Sequence, residues 1–269
     1  MTDHQNHYTH GFHASVLRSH RWRTVENSAA YLLPELKPGL TLLDVGCGPG
    51  TITAGLADRV GAGLVTAVDS SAAVLAQAEQ AVPQSAGVRF LTADVHALRF
   101  PDASFDVVHA HQVLQHVADP VRALREMRRV CRPGGVIAVR DSDYAGFTWF
   151  PALPELDEWN ALYHRVARAN RGEPDAGRML RAWALEAGFD AAHIEASSST
   201  WCFAADEDRA WWGGMWAERI VASGIAEQAE ADGFATRADL ERISAGWRAW
   251  AADERGWLSV LHGELLYRA

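Results

Sequence analysis

The chain has no apolar stretch that approaches the roughly 18–20 residues a membrane-spanning helix needs. Stable membrane insertion is therefore not expected. The first residues, "MTDHQNHYTHGFHASVLRSHRWR", lack the apolar core of a signal segment. Cysteine is scarce: Cys47, Cys131 and Cys202 are odd in number and widely spaced. They suit neither a disulfide framework nor a zinc site, and a reducing cytoplasm is the expected location. No H-x-x-E-H, H-E-x-x-H or C-x-x-C spacing occurs, so no metal is expected. Positive charge is also in deficit. With a net charge of -9, the chain lacks the clustered Lys and Arg that neutralise phosphates, which excludes a nucleic-acid-wrapping protein. Repeats and low-complexity linkers are absent.

What is present is one chain of 269 residues, 48% hydrophobic, enough for a substantial core. Residues 41–145 alternate strand and helix patterns. "TLLDVGC", "GLVTAVDSS", "GVRFLTADV", "FDVVHAHQVL" and "GGVIAVRDSD" read as five strands. "TITAGLADRVG", "SAAVLAQAEQAV" and "DPVRALREMRRVCR" read as helices between them. Asp119 and Pro120 mark the start of the third helix. Such spacing implies parallel crossovers, hence an α/β doubly wound, mostly parallel sheet with helices on both faces. Later residues change character. Nine of eleven tryptophans follow residue 150, and residues 206–254 read as largely helical. "AAHIEASSSTWCF" and "GWLSVLHGELLYR" read as late strands. The expected domain plan is an N-terminal helical arm or lid (1–37). A Rossmann-like domain (38–269) follows, with helical cap insertions at about 150–177 and 206–254.

Candidate binding residues gather where strands end. In an open parallel sheet, ligands sit at the carboxyl ends of the strands. There "DVGCGPG" brings Asp44, Gly46, Cys47, Gly48 and Gly50. A dinucleotide fingerprint places its third glycine three positions after the second, where this chain has Thr51. An acid directly before the loop opposes a pyrophosphate and favours a cationic ligand. Asp69, 19 residues after Gly50 and followed by Ser70, closes the second strand as an acceptor for ribose hydroxyls. Asp94 with apolar Val95 closes the third and suits an adenine edge and face.

These motifs, "LLDVGCGPGTIT", "VTAVDSS", "TADVHALRFPDASFDVVHAHQVLQHVADP" and "VCRPGGVIAV", resemble the class I S-adenosylmethionine-dependent methyltransferases. Within them the chain is similar to the small-molecule branch typified by ubiquinone/menaquinone-biosynthesis C-methyltransferases. The resemblance covers about residues 38–145. It implies a seven-stranded sheet of order 3-2-1-4-5-7-6 with an antiparallel final strand, and S-adenosyl-L-methionine as cofactor. Asp44 and the Gly46–Gly50 loop would hold the methionine moiety, Asp69 the ribose, and Asp94 with Val95 the adenine. His111 and Gln112 would line the sulfonium side. No N/D-P-P-Y/F motif follows the fourth strand, which disfavours a nucleic-acid substrate. The expected acceptor is a small, largely apolar, aromatic or prenyl-like molecule, with C- or O-methylation favoured. A silent cofactor-binding protein, or other chemistry on the same fold, is the alternative reading.

Methyl transfer is an in-line displacement in which the protein mainly aligns the nucleophile. A base is needed only if the acceptor carries a tightly held proton. His116, Asp141 and Asp143 are the catalytic candidates near the ends of the fourth and fifth strands. Candidates for acceptor contact are Tyr144, Trp149, Trp212 and Trp216. His20, Arg23 and Asn27 join them because their spacing of three and four predicts one helix face. The oligomeric state is not legible.

Overall fold

The computed structural model describes Ser19 and residues 22–269. The strands are β1 (Leu42–Val45), β2 (Val65–Asp69), β3 (Arg89–Thr92), β4 (Phe105–His111), β5 (Cys131–Ser142), β6 (Thr148–Phe150), β7 (Ile194–Phe203) and β8 (Trp257–Arg268). They form one eight-stranded sheet, ordered β3-β2-β1-β4-β5-β8-β6, with β7 paired to β8. From β3 to β5 every pairing is parallel. β8 runs the other way: Asp143 N–H reaches Leu261 O at one end, and Ala269 N–H reaches Gly135 O at the other. The α/β architecture and the antiparallel last strand are as the resemblance implies, but the strand count is one higher. β6 has only three residues and pairs with the start of β8. So short a strand has no readable periodicity; its partner creates it.

Local chemistry starts the helices where the sequence places them. The first helix, α1 (Val25–Ser28), opens with a Thr24–Asn27 capping box. Helix α2 (Thr51–Val60) starts from Gly50 at φ 81°. Ser71 caps α3 (Ala72–Ala81), and Asp119 caps α4 (Pro120–Val130), whose first residue is Pro120. Helix α5 spans Pro154–Ala169, α6 Ala176–Glu186, α7 Asp206–Ala222, α8 Gly224–Ala231 and α9 Arg237–Ala252.

The contacts divide the chain into two compact units. One comprises His20–Asp141, Ala176–Ser199 and His262–Ala269. Period-2 alternation gives its strands two apolar faces. Leu42, Val65, Val107 and Val136 pack on Ile52 and Leu56 of α2. Leu43, Val108, Ile137 and Val139 pack on Leu124 and Met127 of α4 and Leu180 of α6.

The other unit comprises Ser142–Asp175 and Thr200–Leu261, with Ser19. Its interior is aromatic. The Trp159 ring lies edge-to-face with Trp216 at 4.7 Å and with Trp247 at 4.9 Å. Such contacts set positive ring edges against negative faces. A side chain at Gly213 would press on Ala251 of α9 at 2.8 Å, so glycine permits the close α7–α9 approach.

Candidate active site

On the α2 face of the sheet, the apolar pattern gives way to polar side chains at the strand ends. Asp44 ends this face of β1, His109 and His111 that of β4, Arg140 that of β5, and His262 and Glu264 follow on β8. All six are buried. Burial of this many polar groups requires mutual pairing. Asp44 Oδ2 accepts from Thr53 Oγ1 at 2.6 Å, and Asp44 Oδ1 meets His109 Nδ1 at 2.8 Å. Arg140 donates from Nε to Glu264 Oε1 at 3.1 Å and to Ser199 Oγ at 3.2 Å. Ser197 Oγ donates to Glu264 Oε2 at 2.9 Å. Burial lowers the Arg140 guanidinium to about 10, against the pull of Glu264.

The glycine loop follows β1. Gly46 has φ 66°, and a β-carbon there would strike the Val113 side chain. Gly48 has φ 55°, and its missing side chain would face open space. Its N–H donates to Asp69 Oδ2 at 3.1 Å, while Ser71 N–H donates to Asp69 Oδ1 at 3.0 Å. Burial raises the Asp69 carboxyl above its ordinary value, against those backbone donors. Cys47 is buried beneath the loop, and burial raises its thiol strongly. Ser70 is exposed next to Asp69. The open backbone at Gly48 beside a half-buried acid fits a cationic nucleoside without phosphates.

Asp94 is exposed, and its Oδ1 accepts from His96 N–H at 2.9 Å and meets His96 Nδ1 at 2.8 Å. Burial opposes ionisation, but these His96 contacts hold the carboxyl below its ordinary value. Val95 belongs to the core on the α4 face.

Beyond β4 the backbone bends sharply. Gln112 has φ 53°, rare for a residue with a side chain, and such strain concentrates at functional sites. Contacts among the described residues hold it. Its N–H donates to Arg140 O at 2.7 Å, its Oε1 accepts from Arg23 Nη2 at 2.6 Å, and its Nε2 lies 2.9 Å from His262 Nε2. The His111 and His262 rings are stacked at 6.1 Å. Burial, with the nearby Arg140 and Arg23 charges, lowers the His111 imidazole well below its ordinary value. A 3₁₀ turn, Leu114–His116, follows. Burial and Arg23 push His116 down to about 3.

The two expected catalytic acids accept from the backbone N–H groups of turns. Asp141 is fully buried at the end of β5, and its Oδ1 accepts from Gln115 N–H at 3.0 Å. Its Oδ2 has no hydrogen-bond partner among the described residues. Burial pushes its carboxyl up to about 7, against the Gln115 and Leu114 N–H groups. Asp143, in the other unit, is buried and accepts from Gly146 N–H at 3.0 Å, closing the Tyr144–Gly146 turn.

The expected acceptor residues are divided between the two units. His20 lies outside the described residues. Arg23 precedes the Thr24 cap, so it shares no helix with Asn27, which corrects the expected common helical face. Asn27 spends its side chain on the capping box and on Trp22 O. In the aromatic unit, Tyr144 stacks on Tyr163 at 3.9 Å, and Trp149 lies 6.4 Å from Trp159. Trp212 is buried against Phe203 at 4.3 Å, and Trp216 lies under the Arg219 guanidinium at 4.7 Å. Thr53, Gln115, His262 and Glu264 had no signal in the sequence, because their partners lie elsewhere in the fold.

Residues 43–139 match the family model described as a methyltransferase domain. An uncharacterised methyltransferase of Schizosaccharomyces pombe is 35% identical over 98% of this chain and 97% of that protein. The chain belongs to the class I S-adenosylmethionine-dependent methyltransferases. The methyltransferase is also 36% identical to a ubiquinone/menaquinone-biosynthesis C-methyltransferase of Bdellovibrio bacteriovorus, over 53% of this chain and 60% of that protein. A structure of phosphoethanolamine N-methyltransferase 2 of Haemonchus contortus shares the enzyme's fold. Its TM-score is 0.55 at 19% identity, over 89% of this chain and 51% of that one. Among the described residues, no helix is long and apolar enough to cross a membrane.

Proposed function

We propose that the methyltransferase holds S-adenosylmethionine along the ends of β1 to β4 and methylates a small, largely apolar acceptor beyond β4. The open cradle at Gly48, with Asp69 bonded to its N–H, is the observation that carries this reading. When bound, the cofactor supplies an electrophilic methyl group and a thioether leaving group. The Gly46–Gly50 backbone takes the methionine moiety. Asp44, already bonded to Thr53 and His109, keeps that loop in register with β4. Asp69 takes the ribose hydroxyls with Ser70 beside it, and Asp94 takes the adenine amine against Val95. His111 and Gln112 line the methyl side, Arg23 fixes Gln112, and His116 faces the acceptor. Asp141 and Asp143 act through the turns they hold.

The name of the Bdellovibrio relative supports C-methylation, with O-methylation the other favoured route. The aromatic content of the helical unit supports an aromatic or prenyl-like acceptor. The test is S-adenosylhomocysteine release with a panel of phenols, quinols and terpenoid acids, alongside calorimetry of cofactor binding. Turnover on the panel is expected. Tight cofactor binding without turnover would favour a silent binding protein instead.

A further inference from the structure

Asp94 lies just beyond β3, and its side chain is 66% exposed. A carboxylate so exposed keeps no fixed direction unless something holds it. His96 does. Its backbone N–H at 2.9 Å and its ring Nδ1 at 2.8 Å both meet one oxygen, Oδ1. A carboxylate only accepts, so both His96 groups donate. The other oxygen, Oδ2, has no hydrogen bond among the described residues.

His96 is itself held. Its side chain is 13% exposed, and its carbonyl accepts from Arg122 Nε at 3.1 Å. Arg122 is fixed in the first turn of α4, where its N–H donates to Asp119 Oδ1 at 2.8 Å. The second ring nitrogen, Nε2, is buried and meets no partner among the described residues. An unpaired buried nitrogen costs stability that a phenyl ring in the same place would not. The imidazole therefore serves Asp94 and not the core.

We propose that His96 is a positioning residue for base selection: it fixes Asp94 Oδ1 so that Oδ2 meets a donor on the purine, and the subsite takes an amino purine and rejects an oxo purine. This rests on the proposed placement of adenine at Asp94. Adenine presents an amine N–H there, which Oδ2 accepts. Hypoxanthine presents a carbonyl oxygen, and two acceptors then face each other unpaired. Without the imidazole, Oδ1 keeps only the backbone N–H, and the carboxylate turns between rotamers. The amine must then order the acid on binding, which weakens the bond it makes.

The test is calorimetry of the full chain with S-adenosylhomocysteine and S-inosylhomocysteine, which differ in that one group. The wild type should prefer the adenine ligand by at least about tenfold. His96→Phe keeps the ring and the backbone N–H but loses the Nδ1 donor. It should weaken S-adenosylhomocysteine by about fivefold and move S-inosylhomocysteine by less than about twofold. Its urea midpoint should be unchanged or higher, because the unpaired Nε2 is gone. A wild type without preference overturns the proposal. So does a His96→Phe variant that keeps the preference, and a lower midpoint in that variant would make His96 a packing residue. Asp94→Ala tests the placement of adenine separately and should abolish the preference. A preference that survives Asp94→Ala moves adenine elsewhere. A preference lost in Asp94→Ala but kept in His96→Phe leaves adenine at Asp94 and removes only the role of His96.

Discussion

Asp44 and His109 stand opposite each other on β1 and β4, and their side chains meet at 2.8 Å in the buried sheet. Thr53 closes the other carboxylate oxygen from the first turns of α2. The acid before the glycine loop therefore ties three elements together. Thr53→Val keeps the shape but leaves one carboxylate oxygen unmet. The expected loss is about 1–3 kcal/mol of stability, read from urea denaturation. An unchanged midpoint would show that Asp44 does not depend on Thr53.

Asp69→Ala removes the acceptor proposed for the ribose hydroxyls. Cofactor affinity should fall by about 1–3 kcal/mol in calorimetry. Unaltered affinity would move the ribose elsewhere.

Gly48→Val separates binding from folding. The side chain would enter open space, so the fold should survive. The left-handed backbone costs about 1–2 kcal/mol for a residue with a β-carbon. Cofactor binding should be lost while the thermal transition stays cooperative. Retained binding would mean that the ligand does not approach this backbone.

Asp141 should make stability depend on pH. Its native carboxyl titrates at about 7, against roughly 3.9 in an unfolded chain. Between these values the native state holds a proton that the unfolded state has released. Its contribution is thus complete below about pH 4 and is lost as pH rises through about 7. Asp141→Asn does not titrate, so its stability relative to wild type should rise from pH 4.5 to 8 in urea midpoints. A difference flat with pH would count against a buried, proton-holding acid.

Glu264 and Arg140 form a buried pair at 3.1 Å. Glu264→Leu removes the carboxylate that faces the buried guanidinium and should cost about 3–5 kcal/mol. The double change Arg140→Met, Glu264→Leu removes both charges and should recover most of that loss. A double variant as unstable as the single one would mean that Ser197, Ser199 and the pair act as one indivisible network.

The glycine loop was legible because its demands are local. Gly46, Gly48 and Gly50 all need positive φ, and Asp44 and Asp69 sit at strand ends that the apolar runs mark out. The core helices were legible through their caps. The aromatic residues were visible as a cluster in sequence, but not their partners. Trp159 meets Trp216 and Trp247 only because α5, α7 and α9 pack together.

The sequence alone determined the strand and helix alternation, the family and the methyl donor, because period-2 burial, caps and a glycine turn act within a few residues. Tertiary structure alone decided how the polar residues are spent. Gln112 reaches His262 across 150 residues, and Arg140 reaches Glu264 across 124. It also decided that Asp141 accepts from the Gln115 backbone N–H and that the Gln115 amide meets the His116 ring. A buried polar group must find a partner, and only folding of distant strands into neighbours determines which one it finds.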